Sequence, residues 1–255
     1  MDSSALVIFL LVVAVGSYIQ TVTGFALGLI VMGAVTVLGL APVSFSAVVV
    51  SMLALVNSLL ALRKSSHSVD WRIVRTVIAG LLPSVFVGLL LLQYLSAHWI
   101  LLLKPLLGVV IISSGLFLFY KPQPRAVLAG ASTTFAIGVV GGLFGGLFST
   151  SGPPIIFHLY RQPLALQVVR TTLLAIFILA AIVRLTYVGI RGEITLPILQ
   201  LGLYSLPLVI MFTTIGRRYR PPLSDLAMRR VAFGLLVLLG ILLLLPAAGL
   251  GGVVH

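Results

Sequence analysis

The segment Gly141-Gly142-Leu143-Phe144-Gly145-Gly146-Leu147-Phe148-Ser149-Thr150-Ser151-Gly152-Pro153-Pro154 interrupts an otherwise apolar chain. About half a chain earlier, Gln20-Thr21-Val22-Thr23-Gly24-Phe25 repeats its ingredients, small hydroxyl side chains beside glycine. Glycine and a proline pair break a membrane helix, and the break frees amides and carbonyls that lipid cannot satisfy. Such backbone survives at membrane depth only against protein, water or a solute. Paired breaks in corresponding positions of two halves therefore point to a transport site.

Composition places this chain in a bilayer. Of its 255 residues 60% are hydrophobic and 8% charged, with a mean hydropathy of +1.27. No water-soluble core of this size hides so much apolar surface. Sixteen Lys and Arg face four acids, a net charge of +12. In a membrane protein that excess signals cytoplasmic anchoring; nucleic-acid binding is not expected, since no aromatic-laced basic groove accompanies the charge. The absence of cysteine excludes disulfides, thiol nucleophiles and cysteine metal sites. His67, His98, His158 and His255 are scattered without metal-ligand spacing, so neither a metal nor a cofactor is expected. The opening Met1-Asp2-Ser3-Ser4 has no basic n-region, and the first helix is expected to be retained.

Six runs of about 20 residues are long enough to cross a bilayer: 43–62, 73–95, 99–120, 171–188, 194–215 and 231–250. Regions 5–40 and 126–160 each hold roughly 35 residues around a break, too many for one span and too few for two full ones. A helical hairpin that enters and leaves on one face fits both. If instead each region crossed once, the basic loop residues would split seven against seven. With both re-entrant, Arg63, Lys64, Arg72, Arg75, Lys121, Arg125, Arg161, Arg170, Arg217, Arg218, Arg220, Arg229 and Arg230 share one face and only Arg191 lies on the other. The positive-inside rule selects the second arrangement, with both termini outside.

Each half then has one hairpin and three crossings, an odd number, so the second half inserts upside down. The expected fold is an all-α polytopic membrane protein of two inverted repeats, residues 1–122 and 123–255, each a broken re-entrant hairpin plus three transmembrane helices. Internal matches agree: Lys104-x-x-x-Gly108 with Arg230-x-x-x-Gly234, Leu82-Pro83 with Leu206-Pro207, and Thr23-Gly24 with Ser151-Gly152, at offsets of 126, 124 and 128.

At these residues the chain resembles the TauE/SafE family, the sulfite and organosulfonate exporters of the four-helix-repeat permease group. Thr23-Gly24-Phe25, the segment 142–153, Arg170-x-Thr172 and the two-repeat layout carry the likeness, which covers nearly the whole chain. The resemblance implies transport of a small anion such as sulfite, a sulfonate or sulfoacetate. It implies a multi-pass protein of the cell membrane, the inner membrane if the source is bacterial, and leaves a homo-oligomer open.

The residues themselves also favour an anion. Asp2, Asp70, Glu193 and Asp225 all lie at termini or in loops, and none in an expected span. Cation pathways and proton relays put acids in the membrane, whereas hydroxyls, amides and helix N-termini suit an anion. The expected substrate ligands are Gln20, Thr21, Thr23 and Gly24 from the first break and Ser149, Thr150, Ser151 and Gly152 from the second, the two turns meeting near mid-membrane. A helix starting at Pro153 would aim amides at the break. Glycines 138, 142 and 146, and glycines 141 and 145, four apart, also suit plain helix contact. Arg170 reads equally as a cytoplasmic anchor or as a guanidinium fork for a sulfonate. His158 is the intramembrane candidate for proton coupling, against the plainer reading of an interfacial histidine bonded to backbone. Lys104 and Arg184, within spans but in reach of the outer face, read as snorkelling cations, with pore lining as the alternative, and Asn57, Gln200 and Tyr204 as interhelical hydrogen bonders.

An exporter needs no coupling acid, since each negative charge leaving a cell gains about 2.3 kcal/mol per 100 mV. The alternatives are an anion channel or facilitator and a permease for another small carboxylate. A more remote alternative is an intramembrane serine hydrolase using Ser149 or Ser151 with His158 as base.

Overall fold

A computed structural model describes residues 3–63, 65–119, 125–219 and 225–244. Asp2, Lys64, Lys121, Arg220 and His255, the side chains of Arg229 and Arg230, and the expected span beyond Leu244 lie outside the described part. The described residues form ten α-helices: α1 Ser3–Thr23, α2 Leu27–Val37, α3 Val43–Leu62, α4 Trp71–His98, α5 Ile100–Phe119, α6 Ala131–Phe148, α7 Gly152–Tyr160, α8 Leu166–Ile190, α9 Leu196–Arg218 and α10 Asp225–Leu244. A 3-10 turn, Ser66–Ser68, links α3 to α4, and no strand occurs among the described residues.

Each expected span has its helix, and α3 matches its expected bounds to the residue. The broken regions differ from expectation in one respect, because their arms are unequal. α1 has 21 residues and α6 has 18, and both are long and apolar enough to cross a membrane; α2 has 11 residues and α7 has 9. At 1.5 Å per residue, α1 is about 31 Å long and α2 about 16 Å. The helices stop where the backbone turns left-handed. Gly24 and Ala26 have φ of +87° and +94°, and Ser149 has φ of +57°. Thr23 closes the first turn by donating from its hydroxyl to Ile19 O at 2.7 Å and to Phe25 O at 2.9 Å. Pro153, in the first turn of α7, starts the returning arm.

Chain directions follow from contacts at the two ends. Leu6 of α1, Leu40, Ala41, Pro42 and Phe45 before and within α3, and Pro197 of α9 border one pocket. At the other end of the same helices, Asn57 donates to Ser17 O (3.1 Å), Thr21 Oγ1 (3.1 Å) and Thr213 Oγ1 (2.6 Å). So α1, α3 and α9 run parallel. α8 begins beside the α3–α4 connection, where Thr171 donates to Ser68 O (2.8 Å) and Asp70 N donates to Thr172 Oγ1 (3.0 Å). Asp70 also caps α4 by accepting from Arg72 N and Ile73 N. α6 lies along α4 in the same direction, with Gly138, Gly142 and Gly146 facing Val77, Leu81 and Val85. Thus α4, α6 and α8 run opposite to α1, α3 and α9.

Both broken regions leave where they entered. The chain before α6 returns to the end of α7 through Arg125 N donating to Arg161 O at 2.8 Å and Ala129 N donating to Gln162 Oε1 at 2.9 Å. α3 contacts α8 and α9, α4 contacts α6 and α8, α1 contacts α9, and α5 contacts α10; α2 rests on α10 and α3, and α7 on α5 and α8. In lipid an apolar surface gains nothing by leaving water, so close packing and interhelical hydrogen bonds hold these helices together. α4 shows the consequence: Val77, Leu81, Val85 and Leu92 face inward while Val87 and Leu90 remain exposed.

Candidate functional site

The second break opens onto a cavity of about 50 Å³. One water needs roughly 10–15 Å³ of such space, so a compact anion of a few heavy atoms fits. Ser149, Thr150, Ser151 and Gly152 form its floor; Gln20 of α1 and Gly28 of α2 bring the first broken region to it. Ser51, midway along α3, sets the depth near mid-span, and its hydroxyl lies 2.5 Å from that of Ser149. Gly28 permits this close approach, since a Cβ there would sit a tight 3.2 Å from Ser149 O. Gln20 is fixed from both ends, accepting from Leu27 N at 3.1 Å and donating to Ser58 Oγ at 3.1 Å.

α8 closes the cavity with Phe177, Ala181 and Arg184. Arg184 is 2% exposed and does not snorkel, which corrects the sequence reading. Its Nη1 donates to Gly145 O at 2.6 Å and also to Gly146 O, and its Nε has no partner. Those carbonyls belong to the last turn of α6, where a helix leaves acceptors and the negative end of its dipole. Arg184 lies six residues before the end of α8, close enough in sequence to suggest a surface cation. Its phase with the buried Ala181 and Val188 is the signal that shows it pointing inward.

Of the expected ligands, Gln20, Ser149, Thr150, Ser151 and Gly152 line the cavity. Thr21, Thr23, Gly24 and Arg170 do not. Thr21 donates to Ser17 O at 2.7 Å and accepts from Asn57. Gly24 lies against Arg170, whose Cα would be 3.2 Å from a Cβ at that position. Tyr160 OH donates to Thr23 O at 3.0 Å. The Thr23–Gly24 end of the first turn therefore sits at the beginning of α8 and the end of α7, whereas Ala26, at its α2 end, lines the cavity beside the second turn. The span-length α1 carries Thr23 and Gly24 away from the cavity, leaving Gln20, Ala26 and Gly28 along it. The amides at the start of α7 are also fewer than the sequence suggested, because Pro153 and Pro154 have none.

His158 does not line the cavity either. Its Nε2 lies 3.0 Å from Thr134 Oγ1 and 3.3 Å from Gln162 Nε2, and its carbonyl accepts from Gln162 at 3.1 Å. It ties the mouth of the hairpin, seven residues and roughly 10 Å of helical rise from Ser151. Neither cavity serine is within hydrogen-bond reach of it, which removes the hydrolase dyad. Lys104 is exposed, and Asn57 bridges three helices as expected.

The family model for the sulfite exporter TauE/SafE matches residues 8–243. The chain belongs to the TauE/SafE family. It is 45% identical over 232 residues, 91% of either chain, to a "Probable sulfite/organosulfonate exporter TauE" of Cupriavidus necator. It is also 27% identical over 177 residues, 69% of this chain and 72% of the other, to a "Probable inner membrane transporter protein TsaS" of Comamonas testosteroni. No solved structure matches it significantly. This TauE/SafE protein is a multi-pass membrane transporter.

Proposed function

We propose that this TauE/SafE protein exports a small sulfur-containing anion, sulfite or a sulfonate, through the cavity between its two broken regions. The observation that carries the reading is the meeting of Gln20 and Gly28 with Ser149, Thr150 and Ser151 around one small space midway along α3. Hydroxyl donors and Arg184 line it, and no acid does among the described residues. A small enclosed space, bounded by side chains on several helices, favours a carrier over an open channel.

The ligand set is Gln20, Ser149, Thr150, Ser151 and Gly152, joined by Ser51 and Arg184. Residues 1–122 and 123–255 act as inverted repeats about this site. The order α1 to α5 recurs as α6 to α10, and exchanging the halves maps the larger helix contacts onto one another, α4 with α6 onto α9 with α1, α3 with α9 onto α8 with α4, and α2 with α10 onto α7 with α5. A side-chain correspondence supports the same reading: Asn57 donates to Ser17 O as Arg184 donates to Gly145 O, at offsets of 127 and 128. Arg63, Arg72, Arg125, Arg161 and Arg217 gather at the end where α3 and α9 finish and α4 and α8 begin, which the positive-inside rule makes cytoplasmic.

Two experiments test this proposal. In vesicles loaded with radiolabelled sulfite, efflux is expected to be saturable and dependent on the protein; efflux no faster than from empty vesicles would refute transport of sulfite. For the topology, single cysteines can be introduced into this cysteine-free chain at the accessible Ser66, Ala165 and Thr195. In intact cells an impermeant maleimide is expected to label only position 195. Opposite labelling of positions 66 and 165 would break the double-hairpin arrangement.

A further inference from the structure

Arg184 is a buried cation for which the fold supplies only part of a counter-charge. It forms no ion pair among the described residues, and Glu193 pairs instead with Arg191 at 2.8 Å. The two α6 carbonyls offer the partial charge of a helix end, about half an elementary charge. An arginine serving only to cap α6 would need its Nη1 alone. Here the guanidinium also lines the cavity, and Nε is buried with no acceptor.

We infer that Arg184 is the residue that binds the transported anion, and that it makes the site select oxyanions without a cationic group. The inference rests on the transport reading above and assigns its selectivity. Held by Gly145 and Gly146 through one nitrogen, the guanidinium that lines the cavity keeps its remaining charge and donors for oxygens of the anion. The hydroxyls of Ser149, Thr150 and Ser151 serve the remaining oxygen. The same fixed partners disfavour an ammonium group. The carbonyls of Gly145 and Gly146 are taken by Arg184, the Gln20 acceptor is taken by Leu27 N, and no carboxylate lines the space. An aminosulfonate would bring its positive charge next to Arg184 with no anionic group among the described lining residues to offset it.

The test uses the purified full-length protein and calorimetric titration with sulfite, methanesulfonate and taurine. The wild type is expected to bind sulfite and methanesulfonate and to bind taurine at least tenfold more weakly than methanesulfonate. Arg184→Lys, which keeps the charge and a donor for α6 but loses the fork, is expected to weaken sulfite binding at least tenfold with an unliganded melting temperature near that of the wild type. A wild type that binds none of the three overturns the transport reading together with this one. Sulfite binding that Arg184→Lys leaves unchanged overturns this inference alone. If Arg184→Lys does not fold, the wild-type series decides, and taurine binding as tightly as methanesulfonate overturns it.

Discussion

Ser149→Asp is expected to abolish sulfite transport while leaving a folded, membrane-inserted protein. Position 149 has φ of +57°, a left-handed conformation that most side chains resist and that Asp and Asn tolerate. It is only half-buried, because it faces the cavity. The Ser51 hydroxyl, 2.5 Å from the present one, can donate to a carboxylate, and Arg184 on the same cavity favours the charged form. The new charge would occupy the donors that the anion needs and would repel the anion itself. Two unit charges about 5 Å apart at an effective dielectric near 20 repel by about 3 kcal/mol, roughly a hundredfold in affinity before competition for Arg184 is counted. Ser149→Asn is the control, with the same backbone preference and no charge. It should cost at most one hydrogen bond, about 0.5–1.5 kcal/mol. Efflux from reconstituted vesicles, with size-exclusion profiles as the folding check, separates the two variants. Wild-type efflux from Ser149→Asp would remove this cavity from the transport path.

The contrast between Arg170 and Arg184 shows what the sequence made legible. Spans such as α3 could be read because hydropathy and length decide them, and both breaks because glycine, hydroxyls and a proline pair mark them. Arg170 attracted attention beside Thr171 and Thr172, yet those threonines hold the α3–α4 connection and Arg170 packs on Gly24. Arg184 reads from its nearness to a span end as a snorkelling cation or as pore lining, and its helical phase with Ala181 and Val188 decides which way it points. The depth of each turn could not be read either. It depends on α1 continuing to Thr23, which a hydroxyl bond to Ile19 O and the positive φ of Gly24 settle locally. Hydropathy is the same for two equal arms as for a long and a short one. The glycines four apart admitted both packing and a site, and they divide between the two. Gly138 and Gly142 face α4, while Gly145 packs against Ser151 and gives its carbonyl to Arg184.

Gly138→Ala is expected to lower the melting temperature sharply, whereas Gly189→Ala should leave it unchanged or raise it. At Gly138 a Cβ would lie 2.2 Å from Val77 O, 3.0 Å from Val77 C and 3.1 Å from Val77 Cα, all backbone atoms that no rotamer change can move. The contact is repeated along the helix pair, with 2.5 Å from Gly142 to Leu81 O and 2.4 Å from Gly146 to Val85 O. α4 answers with glycines of its own, 2.3 Å from Gly80 to Phe135 O and 2.4 Å from Gly88 to Leu143 O. Separating helices packed this closely costs contacts along the whole interface, so the usual overpacking penalty of about 1–3 kcal/mol is a lower estimate. At Gly189 the nearest atom is Ile194 Cδ1 at 3.6 Å, ordinary contact, and alanine there improves helix propensity by up to about 1 kcal/mol. The site feels the same displacement. α6 carries Gly145, Gly146 and Ser149, whereas Arg184 stands on α8, so moving α6 away from α4 shifts the carbonyls that orient the guanidinium. A folded fraction of Gly138→Ala should therefore bind sulfite more weakly than its stability loss alone explains. Equal melting temperatures for Gly138→Ala and Gly189→Ala would mean that α4 and α6 do not approach so closely, and the position of the cavity floor would have to be redrawn with them.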